Sequence, residues 1–240
     1  EALTVTGQAN EPIVPAARQA LFHALHTASG RGVAVNPSPI GNMALSADWH
    51  WLATADEDQH ARLWDLHASE PAANPMVLPN DIDRVSISPD GRWLATSGAD
   101  STVRLWNLQA AHPISEPIVL EGQTSTANEL IFSPDNRWLV TSDSNYALRL
   151  WDLASQNLSP AFTRLLHDPD VPLPVLGGER PTLSLAISPD SRWLVSRGDQ
   201  TDDDIHLWNL KATDPTTRSI SLISNGPIEA HFSPDGRWLA

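Results

Sequence analysis

The chain has 240 residues, of which 41% are hydrophobic and 18% charged, a composition typical of a globular fold rather than a disordered chain. Its formal net charge is −14 and Lys211 is its single lysine, so binding of nucleic acid through charge neutralisation is not expected. The sequence has no cysteine, which excludes disulfides, thiolate nucleophiles and cysteine-ligated zinc.

Targeting signals are not apparent in the sequence. No run of about 18 apolar residues predicts a membrane span, and no signal peptide is visible. We therefore expect no membrane contact from these residues, and a cytoplasmic location is compatible with the absence of cysteine. The chain begins with Glu1 and ends at Ala240 inside a repeated motif, so we expect it to be a fragment of a longer protein.

The first predicted element is a short helix. Residues 15–31 (PAARQALFHALHTASGR) place Leu21, Phe22 and Leu25 at helical intervals, with Pro15 at the start and Gly30 near the end. The segment lies outside the repeats that follow. We interpret residues 1–31 as a helical linker or as the tail of an upstream domain.

From residue 32 onward the sequence repeats one motif. Its clearest copy is SPDGRWLATSGADSTVRLWNL at residues 88–108, and related copies begin at Ser46, Ser133, Ser188 and Ser233. The copies follow one another at intervals of about 42 to 55 residues, and the last copy is cut short by the end of the chain. A period of about 40 to 45 residues, built from short β segments, is typical of stacked four-stranded sheets.

Four β-strands are predicted around the clearest copy, at residues 83–88, 92–97, 102–108 and 118–120, because short runs of Trp, Val, Ile, Leu and Thr are bounded there by Pro, Asp and Gly. In the third of these strands Val103 and Leu105 point to one face, while Trp106 and Leu108 point to the other. Because both faces are apolar, each sheet is expected to lie between two neighbouring sheets, as in a propeller. All ten tryptophans fall within the repeats and are assigned to this packing.

These repeats resemble those of the WD-repeat β-propeller family. The signature dipeptide of that family stands here as Trp64-Asp65, Trp106-Asn107, Trp151-Asp152 and Trp208-Asn209. The resemblance implies an all-β fold over residues 32–240, a propeller of four-stranded antiparallel blades with about 4.5 repeats and an incomplete ring. It also implies that residues 32–36 complete a blade built from residues beyond Ala240, and that the chain is a piece of a bacterial multidomain protein.

The same resemblance implies a structural hydrogen-bond network in each blade. In the family, an Asp six residues before the signature Trp supports the network, together with a hydroxyl group of the second strand and the indole N–H. The acid position holds Asp58, Asp100, Asn145 and Asp202. The hydroxyl position holds Thr54, Thr96, Thr141 and Ser196, and the indoles are those of Trp64, Trp106, Trp151 and Trp208.

The chain departs from the family pattern in two ways. The Gly-His pair that precedes each first strand is missing, and the third repeat reads Glu121-Gly122-Gln123 where the His would fall. We therefore expect the network to lose its central relay and the blades to be held more by packing. Trp49 occupies a turn position that holds glycine in other copies, so the first turn is expected to differ or to be strained, because a bulky side chain disfavours positive φ.

The sequence shows no catalytic constellation. It contains no Gly-rich phosphate loop with a lysine, no G-x-S-x-G and no H-E-x-x-H, so we predict neither enzymatic activity nor a cofactor. One acidic cluster has the residue types that bind a hard cation such as calcium: Asp199, Asp202, Asp203, Asp204 and His206. Because the cluster lacks the spacing of a calcium loop, we interpret it as a solvated turn without metal.

The function that this sequence favours is a non-catalytic scaffold that binds a protein or peptide through its loops. In the family, the turn between second and third strands and the connection entering the first strand share one face, which often contacts partners. The acids of that face favour a basic partner. The candidate partner-binding residues are Asp56, Glu57, Asp83, Ala99, Ser101, Gln123, Asp143, Ser144, Glu179, Asp199 and Asp203. The alternative is a sensor or regulatory propeller of a multidomain signalling NTPase, kinase or protease, with its catalytic domain upstream.

Overall fold

A computed structural model of the chain describes residues 39–57, 59–68, 75–79, 81–120, 123, 125–143, 148–154, 164–165, 185–197, 205–213, 215, 219–222 and 230–239. Within these ranges the chain forms sixteen β-strands and no helix. The helix predicted over residues 15–31 and the strand predicted over residues 32–36 lie outside the described residues.

The strands form four antiparallel sheets, each made of four strands that are consecutive in the chain. The first sheet contains β1 (Ile40–Leu45), β2 (Trp51–Asp56), β3 (Ala61–Asp65) and β4 (Met76–Val77). The second contains β5 (Arg84–Ile87), β6 (Trp93–Ser97), β7 (Val103–Asn107) and β8 (Ile118–Leu120). The third contains β9 (Ala127–Phe132), β10 (Trp138–Asp143), β11 (Leu148–Asp152) and β12 (Arg164–Leu165). The fourth contains β13 (Leu185–Ile187), β14 (Trp193–Arg197), β15 (Ile205–Asn209) and β16 (Ser219–Leu222).

The sheets pack face to face through apolar side chains, as the sequence predicts. Trp106 and Leu108 of the second sheet lie in one buried cluster with Leu63 of the first sheet. On the opposite face of the second sheet, Val103 and Leu105 lie in a cluster with residues of the third sheet. The side chains of Trp106, Val103 and Leu105 are fully buried. A single sheet of four strands could not bury both of its faces, so each sheet depends on its neighbours.

The first strands of successive sheets contact one another, β1 with β5, β5 with β9 and β9 with β13. They therefore form the inner edge of the array. Because neighbouring strands are antiparallel, all connections from second to third strands and from fourth strands to the next sheet lie at one end, which we call the loop end. The connections from first to second and from third to fourth strands lie at the opposite end, which we call the turn end.

Each turn from first to second strand is fixed by its own side chains. In the second sheet the Ser88 hydroxyl donates to Asp90 Oδ1 over 2.6 Å and accepts from the Trp93 N–H over 2.8 Å. The same two bonds recur at Ser46, Ser133 and Ser188, and at Ser233 of the fifth copy. The serine hydroxyl lowers the pKa of the carboxyl groups of Asp48, Asp190 and Asp235, because it donates to the ionised form.

The fourth residue of every such turn has a positive φ: Trp49 60°, Gly91 69°, Asn136 61°, Ser191 56° and Gly236 68°. The Trp49 N–H bonds to the Ser46 carbonyl over 3.0 Å, as the Gly91 N–H bonds to the Ser88 carbonyl over 2.9 Å. The first turn thus keeps the conformation of the others and holds a tryptophan in the left-handed region. Of the two outcomes expected for this turn, the strained one applies.

Two tryptophans do not have the packing role that the sequence assigned to all ten. The side chain of Trp49 is 49% exposed and that of Trp238 is 73% exposed. Trp238 belongs to the fifth copy, in which Phe232 and Leu239 form a single bridge and pack with Ala230 against Val195. That copy therefore begins a further sheet against the fourth one.

The variant Trp49→Gly is expected to be more stable than the variant Trp49→Ala by about 0.5–1 kcal/mol. A non-glycine residue in the left-handed region costs about 1–2 kcal/mol, and glycine returns part of this gain as extra entropy of the unfolded chain. Both variants lose the same half-buried indole, so the difference between them isolates the backbone strain. The free energy of unfolding in urea measures the change. The matched control is Gly91→Ala, which we expect to destabilise the second turn. The strain at Trp49 would be contradicted if alanine were no less favourable than glycine at this position.

Adjacent sheets are also tied by hydrogen bonds at the turn end. The Asp90 N–H donates to Asn136 Oδ1 over 2.9 Å, and the Asp135 N–H donates to Ser191 Oγ over 2.9 Å. A short polar side chain at the left-handed position thus reaches back to the preceding sheet. Asn and Ser are suited to this, because they combine tolerance of positive φ with an acceptor.

Candidate protein-interaction site at the loop end

Each signature tryptophan stands near the end of its third strand, and its indole is anchored on the second strand, two positions closer to the loop end than its register partner. Each indole N–H donates to a hydroxyl of the neighbouring second strand: Trp64 to Thr54 over 3.2 Å, Trp106 to Thr96 over 2.9 Å, Trp151 to Thr141 over 3.1 Å and Trp208 to Ser196 over 2.9 Å. All eight side chains are buried. These bonds satisfy the one polar atom of an otherwise apolar ring.

Three sheets add an ion pair across the turn between second and third strands. Arg62 pairs with Asp56 over 2.5 Å, Arg104 with Asp100 over 2.6 Å and Arg149 with Asp143 over 2.7 Å. The acid stands six residues before the arginine in the first and third sheets but four residues before it in the second.

Gly98 explains this shift. It occupies the position of Asp56 and Asp143 in the second sheet, and a Cβ atom there would lie 1.7 Å from the Asp81 carbonyl oxygen. A side chain cannot be accommodated, so the acid moves to Asp100. Burial raises the pKa of Asp100, but hydrogen bonds from Arg104 and Thr102 outweigh it, and the pKa is lowered overall.

In the third sheet Gln123 forms a partly buried polar relay. Its Nε2 donates to Thr141 Oγ1 over 2.8 Å, and its Oε1 accepts from Arg149 over 2.9 Å. Arg149 also pairs with Asp143, and both side chains are at most 1% exposed. The expected loss of the central relay is therefore wrong for this sheet, because an amide, like an imidazole, offers a donor and an acceptor at once.

An open cavity of about 260 Å³ lies at the loop end, beside the inner strands of three sheets. It is lined by Gly41, Asp56, Glu57, Asp83, Arg84, Thr126, Ala127 and Asn128. The first two sheets contribute the acids, and the third contributes the start of β9. The cavity therefore exists only because three sheets stand side by side.

The charges of the cavity are not equivalent. Asp56 is buried and already bonded to Arg62. Arg84 donates from Nε to the Asn128 carbonyl over 3.1 Å and from Nη1 to the Asp83 carbonyl over 3.2 Å, which ties the second sheet to the third. Glu57 and Asp83 form no ion pair within the described part of the chain. They are the carboxylates that remain available to a ligand.

The structure brings together three of the proposed partner-binding residues, Asp56, Glu57 and Asp83. Ala99 and Ser101 lie in the turn after β6, away from the cavity lining. Gln123 and Asp143 are engaged in a hydrogen bond and an ion pair of the third sheet. Four proposed partner-binding residues lie outside the described residues: Ser144, Glu179, Asp199 and Asp203. The same holds for three proposed network residues: Asp58, Asn145 and Asp202.

The sequence interpretation missed the arginine partners of the network and the third-sheet side of the cavity. The repeated six-residue spacing of Asp56 with Arg62 and of Asp143 with Arg149 was visible in the sequence and could have indicated the pairs. Arg84 carried no such signal, because its bonds go to main-chain carbonyls.

Two negative findings apply to the described ranges alone. They contain no group of three or more His, Asp or Glu side chains arranged to hold a metal ion. Nor do they include a helix with the length and apolar character needed to cross a membrane.

The comparison with protein families decides the class of the repeats. The model "WD domain, G-beta repeat" matches residues 77–107, 115–152 and 171–209. The chain carries WD40 repeats. No curated protein matches the chain.

The WD40 matches are out of step with the sheets. The first begins in β4 and ends with β7, so it joins the last strand of one sheet to the first three strands of the next. The four sheets are thus consistent with blades of a WD40 propeller. WD40 repeats generally mediate contacts between proteins, and WD40 propellers are typically non-catalytic.

Proposed function

We propose that this chain is a non-catalytic interaction module that binds a basic segment of a partner protein at the loop end. The observation that carries the proposal is the cavity between β1, β5 and β9, in which Glu57 and Asp83 are free of ion pairs within the described residues. Repeats of this family bind proteins or peptides, which supplies the class of ligand.

The cavity volume supports insertion of a side chain rather than docking of a flat surface. About 260 Å³ lies just below the usual range for small-molecule pockets and is enough for one long side chain. A partner arginine or lysine would place its charge between Glu57 and Asp83. Arg84 is held by two carbonyl oxygens and would repel that charge on one side, so it orients the incoming group toward the two acids.

The fixed backbone near the cavity also favours the loop end as the binding site. Ile82 is fully buried, and the Asp83 N–H donates to the Ser97 carbonyl over 2.8 Å, so the connection that carries Asp83 is fixed before binding. A site on fixed backbone loses little entropy when a ligand binds.

The test measures binding of a fluorescent eight-residue arginine peptide by anisotropy in 150 mM salt, which screens the general charge of the protein. We expect the double variant Glu57→Gln and Asp83→Asn to weaken binding about tenfold, since charge-assisted hydrogen bonds contribute about 1.5–3 kcal/mol. The matched control is Glu116→Gln, an exposed acid in the connection between β7 and β8 at the turn end.

If binding is specific to the cavity, the affinity of the control variant Glu116→Gln for the peptide falls less than twofold. Equal losses in the two proteins would reduce the interaction to general attraction by a chain of net charge −14 and would overturn the proposal. A glutamate peptide of the same length that binds as tightly would overturn it as well.

A further inference from the structure

The turn end carries one arginine in the same place in each of three sheets. The guanidinium carbons of Arg92, Arg137 and Arg192 lie 5.1, 4.6 and 5.3 Å from the ring centroid of the tryptophan that follows each of them. Arg137 also pairs with Asp152 at the end of β11 over 3.1 Å. It thereby connects the first turn of the third sheet to the connection that follows the third strand.

In the first sheet His50 stands in the place of the arginine and makes both contacts. Its ring stacks on Trp51 at 4.6 Å between centroids with an angle of 13°. Its Nε2 lies 3.3 Å from Asp65 Oδ1, and Asp65 is the counterpart of Asp152. The geometry of the arginine contacts is therefore kept with a different chemical group.

The difference between the two groups is their charge. An arginine is a cation at every physiological pH, whereas an unperturbed imidazole changes its charge between pH 5 and 8. A protonated imidazole gains a charge-assisted hydrogen bond to a carboxylate and a cation–π contact with an indole, and the neutral ring has neither.

A carboxylate and a second imidazole lie beside His50. The carboxyl group of Asp48, whose pKa is lowered chiefly by the Ser46 hydroxyl, accepts from the His50 N–H over 3.1 Å. The ring of His67 also stacks on His50, at 4.5 Å between centroids with an angle of 13°. Two imidazolium rings at this distance would repel each other.

The neighbouring turn of the second sheet supplies the remaining charged groups. A Cβ atom on Gly91 would lie 3.5 Å from Asp48 Oδ2, which shows that this turn, with Asp90 and Arg92, packs against the first one. Asp90 accepts from Ser88 and from the Arg92 N–H, and Arg92 lies over Trp93. His50 therefore faces Asp48 and Asp65 as anions and His67 as a second base.

We propose that His50 is a protonation-dependent tie between the turn at residues 46–51 and the segment at residues 65–68 of the first sheet. The tie is strong when the His50 ring carries a charge and weak when it is neutral, because only the cation makes a charge-assisted hydrogen bond to Asp65. Imidazoles gain their proton as the pH falls, so we expect the tie to strengthen from pH 8 toward 6. The corresponding ties of the other sheets, built on arginine, do not change over this range.

Backbone N–H groups at the same position in three sheets can report on the strength of these ties. The Leu66 N–H donates to the His50 carbonyl over 2.8 Å, and in the next two sheets Leu108 donates to Arg92 over 2.8 Å and Leu153 to Arg137 over 2.7 Å. The experiment is hydrogen exchange by NMR on the full chain at pH 8, 7 and 6, expressed as protection factors. We expect the protection of Leu66, divided by that of Leu108 or Leu153, to rise about three- to tenfold between pH 8 and 6.

Two variants complete the test. His50→Arg restores the residue of the other turns, so the ratio of the Leu66 protection factor to that of Leu108 or Leu153 should be high at every pH. His50→Gln should leave this ratio low at every pH. His67→Ala removes the second base and should keep the pH dependence. A ratio that does not change with pH in the unmodified chain, or that still changes in His50→Arg, would overturn the proposal.

Discussion

Replacing Arg149 with alanine is expected to destabilise the protein by about 3–5 kcal/mol. The guanidinium and the Asp143 carboxylate are both at most 1% exposed, so removal of the cation breaks a buried ion pair. The same change deprives Gln123 Oε1 of a donor and loosens the contact of Gln123 with Thr141. The free energy of unfolding in urea measures the loss.

The matched control is Arg104→Ala in the second sheet. Its partner Asp100 is 40% exposed, and pairs of that kind contribute about 0–1 kcal/mol. Arg149→Met combined with Asp143→Leu should recover most of the loss, because it removes both charges together. A cost for Arg149→Ala no larger than that for Arg104→Ala would show that the pair is solvated in solution.

Replacing Gly98 with alanine is expected to cost about 3 kcal/mol, the upper end for an overpacked interior. The added Cβ atom would lie 1.7 Å from the Asp81 carbonyl oxygen and 3.3 Å from the Ile82 Cα atom, and neither atom can rotate away. The connection at residues 81–83 must therefore shift, and it carries Asp83 of the cavity. Urea unfolding and arginine-peptide binding should both weaken.

Gly41→Ala is the control for this prediction. Gly41 also lines the cavity, but a Cβ atom there meets only the Ala55 carbonyl oxygen, at 3.9 Å. Stability should stay the same or rise slightly, since alanine reduces the entropy of the unfolded chain. Unchanged stability in Gly98→Ala as well would falsify the close approach of residues 81–83.

Much of each sheet could be predicted because the interactions inside it are local. The strands predicted at residues 83–88, 92–97, 102–108 and 118–120 differ from β5 to β8 by one residue at most at each end. The tryptophan and its hydroxyl partner lie ten residues apart in the first three sheets. A hairpin fixes such a distance through its register, so every copy of the motif repeats the contact.

The candidate site could be predicted only in part. The family resemblance implied which connections share an end, and so Asp56, Glu57 and Asp83 were proposed together. It could not show that Asp143, with the same residue type in a similar turn, is buried against Arg149. Nor could it show that Gln123 enters the third sheet, because that residue lies in a connection whose sequence differs between copies.

The sequence by itself determined the class of the fold, the number of complete sheets and the anchoring of the signature tryptophans. Tertiary structure alone decided which acids face a cavity, why Gly98 must lack a side chain, and how His50 takes over the contacts of an arginine. The physical reason is the range of the interactions. Hydrogen bonds within a hairpin follow from a short repeated pattern, whereas contacts between sheets join residues far apart in the chain and depend on the connections that the repeat does not copy.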